Sequence, residues 1–348
     1  MTGRLIVFTR CTRGWCEMSV TTPVLEVAGL SRSFAIERSM LKNISDRLKG
    51  SKPQALRALH DVSFSIASGE TLGVLGESGS GKSTLARVLM GIYEPDSGTA
   101  KLCGREMFGQ HGLERLAILK DMQMVFQDPF GSLDPRMTVR QIICEPLKIH
   151  KMMPAKDLDT FLIRTLADVG LESGALDLYP SEFSGGQRQR IGICRALMLN
   201  PKLLIADEAV SALDVSVQAQ ILELLIRLRA ERNLAMLFVS HDVAVVRQIS
   251  DRIILLYRGH LVEELNADQL LTHGCHPYTK HLLEAALFLR EGAVLPKITA
   301  AVAAPVSVEG CCYRAVCPQA ANECQHRPTL REIAPSHRVA CHFAKETR

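Results

Sequence analysis

Nowhere in its 348 residues does the chain run apolar for the ~20 positions that a helix needs to cross a bilayer. It is therefore expected to be soluble by itself, with any membrane role reached through a partner. Aromatic residues make up only 5%, with one tryptophan, and the net charge is a mild +4. A dedicated nucleic-acid binder would show a basic stripe with interleaved aromatics, so the composition speaks against that class. There is no internal repeat and no heptad array. The C-terminal Cys311, Cys317, Cys324 and Cys341 lack the tight Cys-x2–4-Cys spacing of structural zinc. Leu5-Ile6-Val7-Phe8 is too short for a signal-peptide core. Residues 1–22 read as a disordered tail, with Met18 as an alternative start. What the chain does have is 47% hydrophobic residues, ample for a core, and a length that allows two or three domains.

Short apolar strands alternate with helical periods. Val24-Leu25-Glu26-Val27 opens a strand, and residues 35–53, basic and polar, read as an exposed insertion. Ala58 to Ile66 alternates as a strand and turns at Ser68-Gly69. Further strands are expected at 72–75, 123–126, 203–206 and 234–239. Between 157 and 199 the helical period dominates, and Phe161, Leu162, Thr165, Leu166 and Val169 are assigned to one apolar face. Residues 251–263 read as a hairpin turning at Arg258-Gly259. This order predicts an α/β fold with a mainly parallel sheet and an antiparallel part.

Gly76-Glu77-Ser78-Gly79-Ser80-Gly81-Lys82-Ser83-Thr84 matches the P-loop pattern. Glycines let the backbone curl so that successive N–H groups face the phosphates. Lys82 is placed to reach the β- and γ-phosphates, and the Ser83 hydroxyl to meet Mg²⁺. An apolar strand before the loop and the helix Leu85–Met90 after it aim a helix N-terminus at the phosphates.

Asp207 and Glu208 end an apolar strand. There one carboxylate can hold Mg²⁺ and the next can polarise an attacking water. Alone, two such acids read rather as a solvated strand end. The long stretch after Lys82 leaves room for an inserted subdomain, and Ser211-Ala212-Leu213-Asp214 follows directly. His241 and Gln127 close two other strands, at the edge where open α/β sheets bind ligands. Gln127 could reach Mg²⁺ or the water through its amide. Ser184-Gly185-Gly186-Gln187 opens a helix and forms a second phosphate-binding end. A helical insert would carry that end away from its own P-loop, so a head-to-tail dimer is expected, with each nucleotide between one chain's P-loop and the other's Ser-Gly-Gly-Gln turn.

Together these residues resemble the ATPase subunits of ABC transporters over roughly Val24 to Glu264. The resemblance implies a P-loop NTPase (RecA-like) core with an inserted helical subdomain, at about 128–200 within an ATPase domain at 23–265. It also implies the residue roles. Phe34 is similar to the adenine-stacking aromatic and Gly76 to Thr84 to the Walker A loop. Gln127 is similar to the Q-loop residue, which couples nucleotide state to the membrane subunits, and Ser184 to Gln187 to the signature motif. Asp207 resembles the Mg²⁺ ligand, Glu208 the catalytic base, Ser211 to Asp214 the D-loop and His241 the switch histidine. Phe183 stands where Leu is usual and Ala209 where Pro is common. Both changes are apolar and lie outside the catalytic groups.

Val125 to Arg136, His276-Pro277-Tyr278-Thr279 and the C-terminal cysteines are similar to the oligopeptide/dipeptide (and nickel) importer ATPases. The insertion before Ala58 and the Lys82-Ser83-Thr84 ending resemble the second ATPase of that pair. The resemblance implies a second, different ATPase, two membrane permease subunits and an extracytoplasmic binding protein, with the chain at the cytoplasmic face of the membrane. The cargo is left open between peptides, nickel and another solute. A non-transport ABC ATPase and a P-loop kinase are the rival classes; one cassette without heptads opposes the first, and the Ser-Gly-Gly-Gln turn and His241 oppose the second.

Five of the eleven cysteines crowd the last forty residues. In an ATP-using cytosolic protein disulfides are rare, so the crowding calls for a metal or cluster. Cys311, Cys317, Cys324 and Cys341, with Cys312 as an extra, suit a [4Fe–4S] cluster, and the resemblance points the same way. They fall in an extension at 266–348. Cys103, Cys144, Cys194 and Cys275 are expected as small buried hydrophobes.

Overall fold

A computed structural model describes residues 22–35, 55–128, 130–152, 157–291 and 310–345. The tail at 1–22 falls almost wholly outside these residues, and so does the insertion expected at 35–53. In chain order the strands are β1 (Leu25–Ala35), β2 (Ala55–Ile66), β3 (Thr71–Leu75), β4 (Ser97–Leu102), β5 (Arg105–Glu106), β6 (Met122–Val125), β7 (Leu203–Asp207), β8 (Ala235–Ser240), β9 (Arg252–Tyr257), β10 (His260–Asn266), β11 (Arg331–Ala334) and β12 (His337–Val339). The helices are α1 (Lys82–Leu89), α2 (Gly112–Asp121), α3 (Val139–Ile149), α4 (Leu158–Asp168), α5 (Gly185–Leu197), α6 (Val215–Arg232), α7 (Val243–Ile249), α8 (Leu270–His273) and α9 (Pro277–Glu291). Mixed α/β sheets result, as the alternation of periods requires.

The described residues divide into two compact units. One takes the chain up to Glu26, Phe64–Leu72 and Ala100–Phe238; the other takes Val27–Ser63, Gly73–Thr99 and Val239–Arg348.

In the first unit, β6 and β7 run parallel, with Met122 opposite Leu203 and Val125 opposite Ala206. β7 is buried along its whole length, which explains its unbroken apolar run before Asp207. Helix α5 packs against α3, α4, α6 and β6. Helix α3 starts at a capping box, where Thr138 and Gln141 each satisfy the other's backbone N–H. It turns Val139, Ile142, Ile143, Cys144 and Leu147 inward. In α4 the buried face is Leu162, Thr165 and Leu166, continued by Val169 beyond its end. Phe161, assigned to that face, is exposed instead, because at about 100° per residue it falls outside the stripe's edge, beyond Thr165. Cys103 also departs from expectation. It is exposed in the β4–β5 turn, in the left-handed region with Gly104.

In the second unit the sheet order is β11-β12-β10-β9-β3. β9 and β10 form the expected hairpin, and Arg258 and Gly259 both take positive φ at its turn. The segment after residue 265 is packed onto this sheet: β12 pairs antiparallel with β10, Glu263 opposite Val339 and Glu264 opposite Arg338. The strand β10 carries two buried carboxylates side by side, which a burial pattern read from sequence would not place there. Glu264 is met by Arg252 Nε at 2.7 Å and by the Arg338 guanidinium. Glu263 accepts two donors on each oxygen. Cys275 N–H and His337 Nε2, both at 2.8 Å, meet Oε1; His276 N–H at 3.1 Å and the Thr279 hydroxyl meet Oε2.

Candidate functional site

The second unit holds the P-loop. The loop leaves β3 at Leu75 and enters α1 at Lys82, with Gly81 as N-cap in the left-handed region at φ 105°. Gly79 also has φ +80° and open space beside it, and Gly76 is pressed against the Leu256 carbonyl, where a Cβ would sit at 2.4 Å. Only glycine satisfies those two demands, positive φ and close approach. The Lys82 ammonium is buried and donates to the carbonyls of Gly76 (2.7 Å) and Glu77 (2.8 Å). Ser80 is buried, and its hydroxyl has no hydrogen-bond partner. Phe34, half-buried, packs edge-on against Tyr93 at 5.0 Å, with the Arg32 guanidinium 4.9 Å over its ring. Arg32 is fixed in turn by the Glu94 carbonyl and Asp96. His241, exposed, follows β8, and Asp242 then caps α7 by accepting from Ala244 N–H and Val245 N–H.

The first unit brings Gln127 and Glu208 together. The register Val125 to Ala206 sets the residues two further on at the same level, and Gln127 Nε2 donates to Glu208 Oε2 at 2.8 Å. The two ends of an amide point apart, so fixing Nε2 on Glu208 aims Oε1 away from it. Asp207 is buried at the end of β7. Glu208 takes φ 47°, and its carbonyl accepts from the Ser211 N–H (3.1 Å) and hydroxyl (2.9 Å), which turns the chain toward exposed Asp214. Within this unit the Gln127 amide oxygen and the Asp207 carboxylate both offer oxygen donors, the chemistry Mg²⁺ prefers.

The Ser184 turn lies in the same unit as Glu208. Ser184 caps α5 in a box with Gln187, whose Oε1 accepts from Ser184 N–H at 2.9 Å. Both side chains are exposed. Gly186 is pressed on α6: a Cβ there would lie 2.3 Å from Val217 Cγ1. Arg188 stacks 4.3 Å over Phe130 and donates to the Phe183 carbonyl. Phe183 and Ala209, the two departures from the family pattern, are both buried apolar side chains.

Of the C-terminal cysteines, Cys311 and Cys324 are joined through the backbone, Cys311 N–H to Cys324 carbonyl at 3.0 Å. Burial raises the Cys317 thiol, and negative charge on Cys311, Cys341 and Cys324 pushes it the same way. Burial raises Cys341 likewise, with Cys311 and Cys324 adding to it. Cys317 and Cys341 thus each feel the charge of Cys311 and Cys324. A hydrogen bond from Cys312 draws Cys311 down to about 6. Glu263, Cys275 and His337 also place one ligand atom each within 4.8 Å of the others. Both Glu263 oxygens are already filled by protein donors there.

Sequence reasoning missed two working residues, Tyr278 and Glu263. The Tyr278 hydroxyl accepts from the Glu77 N–H inside the P-loop at 2.9 Å. The signal was the His276-Pro277-Tyr278-Thr279 motif, but nothing local says what it touches.

Comparison with known proteins adds the following. A family model described as "ABC transporter" matches residues 59–211. One described as "Oligopeptide/dipeptide transporter, C-terminal region" matches residues 262–324. The chain is 44% identical over 328 residues to the putative oligopeptide transport ATP-binding protein YkfD of Bacillus subtilis (strain 168), covering 92% of this chain and 95% of that one. It is 42% identical over 295 residues to the oligopeptide transport ATP-binding protein OppF of Escherichia coli (strain K12), covering 83% and 88%. Among solved structures, the dimeric post-hydrolysis state of the ATP-binding cassette MJ0796 with ADP and Pi aligns at a TM-score of 0.60 and 26% identity, over 70% of this chain and 98% of that one.

Proposed function

The chain belongs to the ATP-binding subunits of the ABC transporters, in the oligopeptide/dipeptide branch, and on that premise we propose how its residues divide the work of hydrolysis. It is an ATPase that powers peptide import, working in an ATPase dimer with membrane permease partners. Among the described residues no helix is long and apolar enough to cross a membrane. We assign the chain to the cytoplasmic face of the membrane, with the permeases as its anchor.

Phe34 stacks on adenine, and residues 76–84 wrap the phosphates. Ser83, Gln127 and Asp207 would hold Mg²⁺, which when bound would supply positive charge against the negative charge of the transferred phosphoryl. Lys82 leaves the loop carbonyls for the β- and γ-phosphates. Glu208 takes the proton of the attacking water, and His241 and Gln127 orient the reacting groups. Ser184 to Gln187, with Asp214, serve the partner's nucleotide; the exposure of the α5 N-terminus supports this. The single observation carrying the reading is the Gln127–Glu208 bond, because it joins the assigned metal ligand and base across adjacent strand ends. Glu208→Gln is expected to keep ATP binding and to lose hydrolysis by about 10²-fold or more. Unchanged phosphate release by the assembled mutant transporter would remove Glu208 as base.

We further assign an ATPase domain to 23–265, with helices at about 128–200 as its insert, and an extension at 266–348. The partner ATPase is a different chain, and an extracytoplasmic binding protein delivers the peptide. Cys311, Cys317, Cys324 and Cys341 hold a [4Fe–4S] cluster. Protein purified without oxygen should carry iron, acid-labile sulfide and a broad visible absorbance. Zinc, or no metal, would sink the assignment.

A further inference from the structure

The peptide group between Gly76 and Glu77 is held at both ends. Its carbonyl accepts from the Lys82 ammonium at 2.7 Å, and its N–H donates to the Tyr278 hydroxyl at 2.9 Å. These two bonds fix the orientation of one peptide plane at the entrance of the phosphate loop. The two holders differ in what they do next. Lys82 is the residue that moves to the phosphates, and when it does it releases the Gly76 carbonyl. Tyr278 then holds the plane alone.

Tyr278 is built to stay. It is fully buried, the largest such side chain among the described residues. Its ring packs 4.7 Å from Tyr257, the last residue of β9, and 5.7 Å from Tyr313. Burial is the largest influence on its phenol and raises it, so the hydroxyl is neutral at physiological pH. The backbone on either side of Tyr278 is anchored by one carboxylate, since Glu263 takes the N–H groups of Cys275 and His276 and the hydroxyl of Thr279. An element from beyond the ATPase motifs therefore aims a fixed acceptor at the second residue of the P-loop.

We propose that Tyr278 is a positioning residue for the P-loop, through which the C-terminal region sets the loop geometry that ATP meets. The inference rests on the reading of residues 76–84 as the phosphate site. Loss of a buried hydrogen bond that keeps one peptide plane ready for ligand should weaken ATP binding by about five- to tenfold. Chemistry downstream of binding should be little changed, because Tyr278 touches no reacting group.

The test uses the full-length chain for Mg²⁺-ATP affinity and the assembled transporter for kinetics. Tyr278→Phe keeps the ring and removes the acceptor. The expected result is a five- to tenfold rise in Kd and KM for ATP with kcat within about twofold. Glu77→Pro removes the donor, so Tyr278→Phe should then add nothing; in Glu77→Ala, which keeps the N–H, the penalty should persist. A Tyr278→Phe protein that melts earlier but binds ATP normally overturns the inference and leaves Tyr278 a packing residue. An equal penalty with and without the Glu77 N–H overturns it too. Lys82→Ala separates the two readings. If that change leaves ATP binding intact, the phosphate-site reading itself has failed; if it abolishes binding while Tyr278→Phe does nothing, only the positioning inference has.

Discussion

Gln127 and Glu208 meet through a 2.8 Å hydrogen bond, amide nitrogen to carboxylate oxygen, at the ends of two parallel strands. The pairing depends on register. A slip of one residue would turn every side chain of one strand to the opposite face and part the two groups.

Replacing Gln127 should therefore act on metal use before it acts on nucleotide grip. Gln127→Leu removes both the amide oxygen assigned to Mg²⁺ and the donor to Glu208, while the P-loop stays intact. Affinity for ATP in EDTA should be unchanged, affinity for Mg²⁺-ATP should fall severalfold, and hydrolysis should fall by about tenfold or more. Equal loss of affinity with and without metal would mean that Gln127 supports the fold rather than the ion.

At the signature turn, a methyl on Gly186 would meet Val217 Cγ1 at 2.3 Å. Gly186→Ala should cost about 1–3 kcal/mol by overpacking and push Ser184 off its position, lowering ATPase activity more than melting temperature alone would explain. Val217→Ala in the same chain opens the space and should restore most of both. Thermal melts and phosphate release on the two proteins decide it.

His60 and His260 stack with ring centroids 4.0 Å apart. Burial, with nearby Arg57 and Arg327, pulls His60 down to about 4, and burial with His60 itself pulls His260 down to about 3. Both are neutral when folded at pH 6, whereas the unfolded chain takes up protons below its ordinary value of 6.5. Stability contributed by these neutral rings is thus fully present above pH 6.5 and falls as pH drops toward 4. His260→Phe should flatten the melting temperature over that window. A wild-type slope in the mutant would place the acid sensitivity elsewhere.

Glu263 moves in the other direction. Burial alone would raise its carboxyl, but hydrogen bonds from His337, Cys275 N–H, Thr279 and His276 N–H outweigh burial and hold it below 4.5. Its contribution is present above pH 4.5 and is lost as pH falls through its lower folded value. Glu263→Gln should cost about 3 kcal/mol near neutrality, since it leaves buried donors unmet. The gap from wild type should shrink below about pH 4. Denaturant melts at pH 7 and pH 3.5 measure both.

What could be read from sequence was what is local. The P-loop glycines, the strand-ending Asp207 and the turn at Arg258-Gly259 each satisfy a demand within a few residues. Phe161 misled because a stripe defined by Leu162, Leu166 and Val169 leaves its neighbour half a face away. Cys103 misled because burial was inferred from residue type, while the turn it occupies is set by backbone sterics. Glu263 and Glu264 look like solvated strand residues until partners 74 residues onward are folded against them. Tyr278 acts across 201 residues of chain. No spacing rule reports on such pairs.

The pairing of β12 with β10 has a temporal side. A ribosome delivers the P-loop well before His337–Val339. Until those emerge, β10 keeps an unsealed edge and Glu263 lacks the imidazole from His337. The loop that will grip ATP is thus translated long before the segment that steadies it, and a nascent chain holds that loop unsteadied until the later segment has emerged.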